Sequence, residues 1–370
     1  MSSLNRNLRS LLEKTVLKAR ELAEKGALEA LTTLGVDQPK PFDHLTSEQR
    51  RLRNQLRARG RQLGDALDKD SGRQELRHLI EVVAYEHWHR MLFARFLAEN
   101  GLLLEPEHQV PVSLDDVEEL ARDAGVDVWE LAGRYAERML PAVFRADDPV
   151  LALPLARETR VALEKLVGEL PREVFLADDS LGWTYQFWQA QRKEEVNKSG
   201  VKIGADELSP VTQLFTEDYM VEFLLHNTLG AWWVGKLGSL AAASEEEARA
   251  QAGLPEREGL RIEWTYLRFV QDEQTQRWMP AAGTFAGWPR QAKDVTVLDP
   301  SMGSGHFLVF ALPLLARLRM EEENLGAAAA VAAVLRDNLY GLELDERCTQ
   351  IAAFNLALAA WRLGGFQPLP

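Results

Sequence analysis

Residues Asp294 to His306 read Asp-Val-Thr-Val-Leu-Asp-Pro-Ser-Met-Gly-Ser-Gly-His, and no other stretch limits the fold as strongly. A short β-branched, apolar run that stops at an acid and a proline has the composition of a strand buried in a parallel sheet. Behind the glycines, Phe307, Leu308, Ala311, Leu314 and Leu315 recur at helical spacing. The order is therefore strand, glycine turn, helix. Gly303 and Gly305 lack a Cβ, so the backbone turns tightly there and lets a ligand approach, while the helix start offers amides to an anionic group. Asp299, at the strand end, can accept bonds from an ammonium group.

A second unit follows at once. Ala327 to Leu335 is helical, Leu339 to Asp345 reads as a strand and its tip, and Arg347 to Leu363 is an amphipathic helix closed by Gly364 and Gly365. Strand and helix in alternation predict an α/β, Rossmann-like parallel sheet. In a doubly wound sheet an acid at the tip of the second strand holds a ribose diol, which points to Glu343; Leu344 beside it can cover an adenine ring. A dinucleotide fingerprint needs Gly or Ala at position 308, where Leu308 stands, and an acid about 20 residues on. The interval from Gly305 to Glu343 is 38. A phosphate-binding loop of the Gly-Lys-Ser/Thr kind is absent too, since the turn runs Gly-His-Phe. A zwitterionic, ribose-bearing ligand without phosphate remains, and S-adenosylmethionine has that form.

The rest of the chain reads differently. Residues 1–170 are helix after helix, with Leu79, Ile80, Val83, Ala84, Trp88, Met91, Leu92, Phe96 and Leu97 marking one buried stripe and Asn100-Gly101 its stop. We divide the chain into a helical N-terminal domain (1–170), a helical segment (171–235), an insertion or linker (236–293) and a nucleotide-binding start (294–370). Within the insertion, Ala241 to Glu258 suggests an exposed helix plus loop, Arg261 to Val270 a strand, and Pro280 to Gln291 a loop. Glu86-His87-Trp88-His89 is not a metal site, because histidines two apart on a helix do not face one another. Trp183, Tyr185, Phe187 and Trp188 either stack a base or fill a core.

Net charge is −13, yet residues 1–63 carry 13 Lys+Arg against 7 Asp+Glu. Arg50, Arg51, Arg53, Arg57, Arg59 and Arg61 crowd one helix there, which suits either a phosphate backbone or a solvated face. A uniformly basic nucleic-acid coat is excluded. The longest apolar run, Phe307 to Ala316, contains Pro313 and falls well short of the ~20 residues of a membrane span. The opening MSSLNRNLRS lacks the apolar stretch of a secretory signal, and the single cysteine, Cys348, cannot form an internal disulfide. A reducing cytoplasm fits this usage.

The stretch Val297 to Leu308 resembles motif I of the amino-group DNA methyltransferases, and Tyr340 to Asp345 resembles their motif II. Upstream, Thr212-Gln213-Leu214-Phe215-Thr216-Glu217, opening a helix through Met220, Val221, Phe223 and Leu224, looks like motif X. This order resembles the adenine-N6 γ class. Leu79 to Leu102, Gly182 to Val196 and Pro280 to Pro300 further resemble the adenine-specific methyltransferases of the BREX (PglX) and DISARM phage-defence systems. The resemblance implies S-adenosylmethionine as cofactor, double-stranded DNA as substrate and other defence subunits as possible partners, with no membrane. It implies cofactor contacts at Asp299, Pro300, Ser301, Gly303, Gly305, Glu343 and Leu344, with Phe215 and Thr216 at the methionine end. Glu217 departs from the family, where proline often follows the motif X threonine. Thr216 also suits a helix N-cap.

The family's catalytic motif IV, Asn or Asp followed by Pro-Pro and Tyr or Phe, does not occur in the 370 residues. No catalytic residue is therefore assigned, and no metal. In the γ order motif IV follows motif II, so the chain is expected to be the N-terminal part of a longer enzyme, or else a non-catalytic cofactor- or DNA-binding subunit completed by another chain. A sheet left with its first strands only has an uncovered side, so weak cofactor binding and self-association are expected.

Overall fold

A computed structural model describes residues 4–145, 147–200, 216–283 and 285–368. The chain divides into two compact units, one up to Glu194 and one from Glu195 onward. No described helix is long and apolar enough to cross a membrane.

The first unit is helical. Helix α1 (Arg6–Thr33) starts on Asn5, whose side chain accepts from the Asn7 and Leu8 amides, and buries Leu12, Val16, Ala19, Ala23, Ala27 and Leu31 along one stripe. That stripe packs on α3 (Arg77–Glu99), against which α5 (Val128–Met139), α7 (Arg157–Gly168) and α8 (Arg172–Leu176) also pack. Of the nine stripe positions read on α3, all but Ile80 are buried. Asn100 caps it, its amide nitrogen reaching Phe96 O and Phe175 O. Helix α2 (Ser47–Gln62) opens with a Thr46/Gln49 capping box. Between these lie α4 (Leu114–Ala124) and α6 (Pro141–Phe144). Helix α9 (Ser180–Ser199) brings Trp188 to stack on Trp88 at 4.7 Å between ring centroids.

The arginine-rich helix proves to be a scaffold. Arg53 is 2% exposed and donates to Gly35 O and Gln38 O, while Arg57 donates to Val36 O and Gly72 O. Arg50 binds Leu45 O and Asp43 O, Arg59 pairs with Asp148 at 3.1 Å, and Arg61 binds the Gln74 side chain. Five of the six guanidinium groups thus hold loop carbonyls, a side-chain amide or an acid of the same unit, which favours the structural reading over the phosphate one. The aromatic cluster resolves the same way: Trp183, Tyr185, Phe187 and Trp188 are all buried.

The second unit carries short strands among helices. Helix α10 (Asp218–Leu225) passes through one π turn, His226–Gly230, into α11 (Ala231–Leu237). After α12 (Glu245–Ala252) come two antiparallel pairs, β1 (Leu254–Arg257) with β2 (Leu260–Ile262), and β3 (Phe269–Gln271) with β4 (Trp278–Pro280). This corrects two expectations. The stretch after Ala252 is a strand rather than loop, and Arg261 to Val270 is not one strand, because buried Trp264 and Leu267 anchor a turn inside it.

Strands β5 (Val297–Asp299) and β6 (Leu339–Gly341) pair in parallel, with Val297 opposite Leu339, Leu298 opposite Tyr340 and Asp299 opposite Gly341. They are joined through α13 (His306–Glu323) and α14 (Ala327–Asp337), and β6 leads into α15 (Glu346–Gly364). Helix α13 sits in the core, with Phe310, Ala311, Leu312, Leu315, Ala316 and Leu318 buried. Asn338 pins the strand starts together: its side chain donates to Ala292 O at 2.9 Å and Val295 O at 2.6 Å, and accepts from Arg319. Hydrogen bonds to its groups offset the desolvation of such a buried amide, and it fixes register.

Candidate functional site

The site lies where β5 and β6 end. At Asp299 the main chain leaves the ladder, and its carbonyl still accepts from the Leu342 amide at 2.9 Å. Its side chain accepts from the Ser301 amide at 3.1 Å. Met302 N then bonds Leu342 O at 3.1 Å, and Gly305 N closes the turn on Met302 O at 2.8 Å. Gly305 has φ +77°, and a Cβ there would lie 3.0 Å from Ala352 Cβ and 3.2 Å from Ala352 Cα, so α15 packs directly on the turn. Asn355, also on α15, donates to Ser304 O. Gly341 has a different reason: a Cβ would overlap the Met302 sulfur, which fills the space beneath the turn.

Glu343 reaches across from the β6 tip. Its Oε2 accepts from Gly303 N at 2.9 Å, and its Oε1 from the amides of Leu344 at 2.8 Å and Asp345 at 3.0 Å. One carboxylate therefore fastens the glycine turn to the second strand. Burial pushes the Asp299 carboxyl up from its ordinary value; the Ser301 amide opposes this and the nearby Glu343 charge adds to it. Two acids thus share the upper edge of the sheet. Helix α13 begins on Gly305 with no side-chain cap, and Leu344 is 82% exposed.

The structure brings Asp299, Ser301, Gly303, Gly305 and Glu343 into one constellation, with Pro300 exposed on its rim and Leu344 beside it. Thr216 is half-buried just before α10. It is not the N-cap; that position falls to Glu217, and no side chain caps the helix. Phe215 lies outside the described residues. Sequence reasoning assigned no role to His306, yet its Nε2 meets Asp218 Oδ1 at 3.0 Å. A histidine opening an otherwise apolar helix was the available signal. Cys348 is buried on α15.

Known proteins resemble this part of the chain and much of the rest. Residues 284–364 match the family model described as the MmeI DNA-methyltransferase domain. The chain is 25% identical over 360 residues to the adenine-specific methyltransferase PglX of Lacticaseibacillus casei, covering 85% of this chain and 28% of that protein. It is 25% identical over 329 residues to the adenine-specific methyltransferase BrxX of Escherichia coli, covering 80% of this chain and 25% of that protein. A putative type II restriction enzyme and methyltransferase of Methanocaldococcus jannaschii is 33% identical over 70 residues, 18% of this chain and 6% of that protein. The resemblance read from the motifs is borne out. The chain spans about a quarter of the length of the PglX and BrxX relatives.

Proposed function

We propose, from a methyltransferase domain spanning 284–364, that this chain is the cofactor-binding part of an S-adenosylmethionine-dependent DNA adenine-N6 methyltransferase serving phage defence. The observation that carries the proposal is the 2.9 Å contact between Gly303 and Glu343. It joins the turn suited to the amino-acid end of the cofactor to the acid suited to its sugar.

The residues present fit such a ligand. Asp299 takes the ammonium group, and the uncapped first turn of α13 faces the carboxylate. Glu343 holds the ribose diol: its Oε2 accepts one amide and has capacity for a hydroxyl. Leu344 lays apolar surface on the adenine, Pro300 and Ser301 line the turn, and Thr216 flanks the methionine end, as the family resemblance suggests. When bound, S-adenosylmethionine supplies a sulfonium methyl for direct in-line attack by the exocyclic amine of an adenine. The chain's part is to orient that methyl with fixed acceptors, which lowers the entropic cost of the approach. Double-stranded DNA is the substrate in this reading, other defence subunits are its partners, and the cytoplasm its setting.

A second reading is favoured by one sequence fact, the lack of Asn-Pro-Pro or Asp-Pro-Pro in the 370 residues. In it the chain is a cofactor- or DNA-binding subunit completed by another chain. Mass spectrometry of DNA from cells carrying the gene separates the two. N6-methyladenine that disappears on Asp299→Ala supports the enzyme, and a level equal to that of cells lacking the gene contradicts it.

A further inference from the structure

Two helices of the second unit start side by side. Helix α10 begins at Asp218 and α13 at His306, and these two first residues meet through His306 Nε2 and Asp218 Oδ1, 3.0 Å apart. A carboxylate only accepts, so Nε2 carries the proton and donates it. His306 is 5% exposed, with its ring edge against Phe310 at 4.7 Å between centroids. A charge-assisted bond shielded in this way is stronger and shorter than a neutral one in water.

Helix α10 is exposed over much of its first two turns. It is eight residues long, no side chain caps it, and only Val221 and Leu225 are buried, while Tyr219, Met220, Phe223 and Leu224 are exposed. The first-turn amides of any helix lack intrahelical partners, so that end frays unless something outside the helix holds it. Thr216 lies two residues before Asp218, within about 7 Å of it along any chain path. The glycine turn, by contrast, is already fixed by Glu343, Met302 and Asn355.

We propose that His306 is a positioning residue: through Asp218 it latches the start of α10, and Thr216 with it, beside the glycine turn, completing the methionine end of the site. The inference rests on the cofactor reading above. It assigns His306 no contact with the reacting atoms. Its work is to bring together two segments that are 88 residues apart in sequence.

Hydrogen exchange of the whole chain tests it, with S-adenosylhomocysteine as the probe. His306→Phe removes the donor and keeps a ring, and His306→Gln restores a donor. Without ligand, amides 217–222 should exchange about tenfold faster in His306→Phe, and the rate should recover in His306→Gln, in line with one lost charge-assisted bond. The probe concentration that half-protects residues 299–306 should rise about tenfold in His306→Phe. Thr216→Ala should weaken protection in the wild-type background and add nothing in His306→Phe. Should His306→Phe unfold, as exchange across α15 would reveal, Asp218→Ala at the half-exposed helix start carries the same expectations. Unchanged exchange at 217–222, or additive effects of Thr216→Ala and His306→Phe, overturns the latch alone. Wild-type protein that gains no protection at 299–306 overturns the cofactor reading and the latch with it.

Discussion

The Gly303 amide donates to Glu343 Oε2 at 2.9 Å, so an acid at the tip of one parallel strand holds the glycine turn that follows its neighbour. The carboxylate is at once a structural clamp and the acceptor proposed for the ribose. Separating those two roles takes substitutions read on stability and on binding together.

Glu343→Ala strands three amides, those of Gly303, Leu344 and Asp345. Each partly exposed amide recovers water, so the expected loss is about 1–3 kcal/mol rather than the sum of three charged bonds. Glu343→Gln keeps one carbonyl oxygen and should lose less. Urea unfolding measures both; an unchanged midpoint for Glu343→Ala contradicts the clamp.

Asp299→Asn should act in opposite directions on fold and function. The Asp299 carboxyl is raised by burial, with the Ser301 amide opposing and the Glu343 charge adding. A raised acid in the folded state means that its ionisation costs stability at neutral pH, above both values. Removing the charge should therefore raise the melting temperature while removing the partner for the cofactor's ammonium. A melting temperature that falls together with affinity would argue that Asp299 is a structural acid only.

What the sequence made legible was whatever leaves a local pattern. The α3 stripe, the β5–turn–α13 unit and the acid after β6 all follow from periodicity or from glycine placement within a few residues. The direction of the α2 guanidinium groups does not: charge density says where arginines are, and only the loop carbonyls of Gly35, Val36 and Gln38 decide that they turn inward. Strands β2 and β3 do not separate in the sequence because each has three residues, too few for alternation to show. The pairing of His306 with Asp218 spans 88 residues, and the histidine that opens α13 does not by itself name its partner.

Among the described residues, one face of the β5–β6 pair is largely exposed. Leu298 and Tyr340 are register partners, so they share a face, and they are 58% and 49% exposed. Leu342 continues the apolar surface. Contiguous exposed apolar surface of this kind promotes association. Sedimentation velocity should show association that grows with concentration and is reduced by Leu298→Ser with Tyr340→Ser. A wild-type chain that stays monomeric at all concentrations contradicts this.

The π turn gives the second unit a pH dependence. His226 is buried, its Nδ1 accepts from the Tyr266 amide, and burial pushes it down to about 4 from 6.5. Between those values the unfolded chain binds the extra proton, so stability rises with pH from about 4 to 6.5 and is fully present above. The contribution is up to roughly 3 kcal/mol. His226→Asn keeps an acceptor for Tyr266 and lacks the titration, so its stability should fall less between about pH 7 and about pH 4.5. Parallel acid-unfolding curves for the two proteins would rule His226 out as the source.

The central claim is that S-adenosylmethionine binds between the glycine turn and Glu343, and ultraviolet cross-linking of labelled S-adenosylmethionine to the chain, mapped by mass spectrometry, tests it most directly. The account predicts label on peptides spanning Leu298–Leu308 or Leu342–Arg347, competed by S-adenosylhomocysteine and lost in Asp299→Ala. Competed label confined to the helical unit before Glu194, or label at the turn that survives Asp299→Ala unchanged, would contradict it.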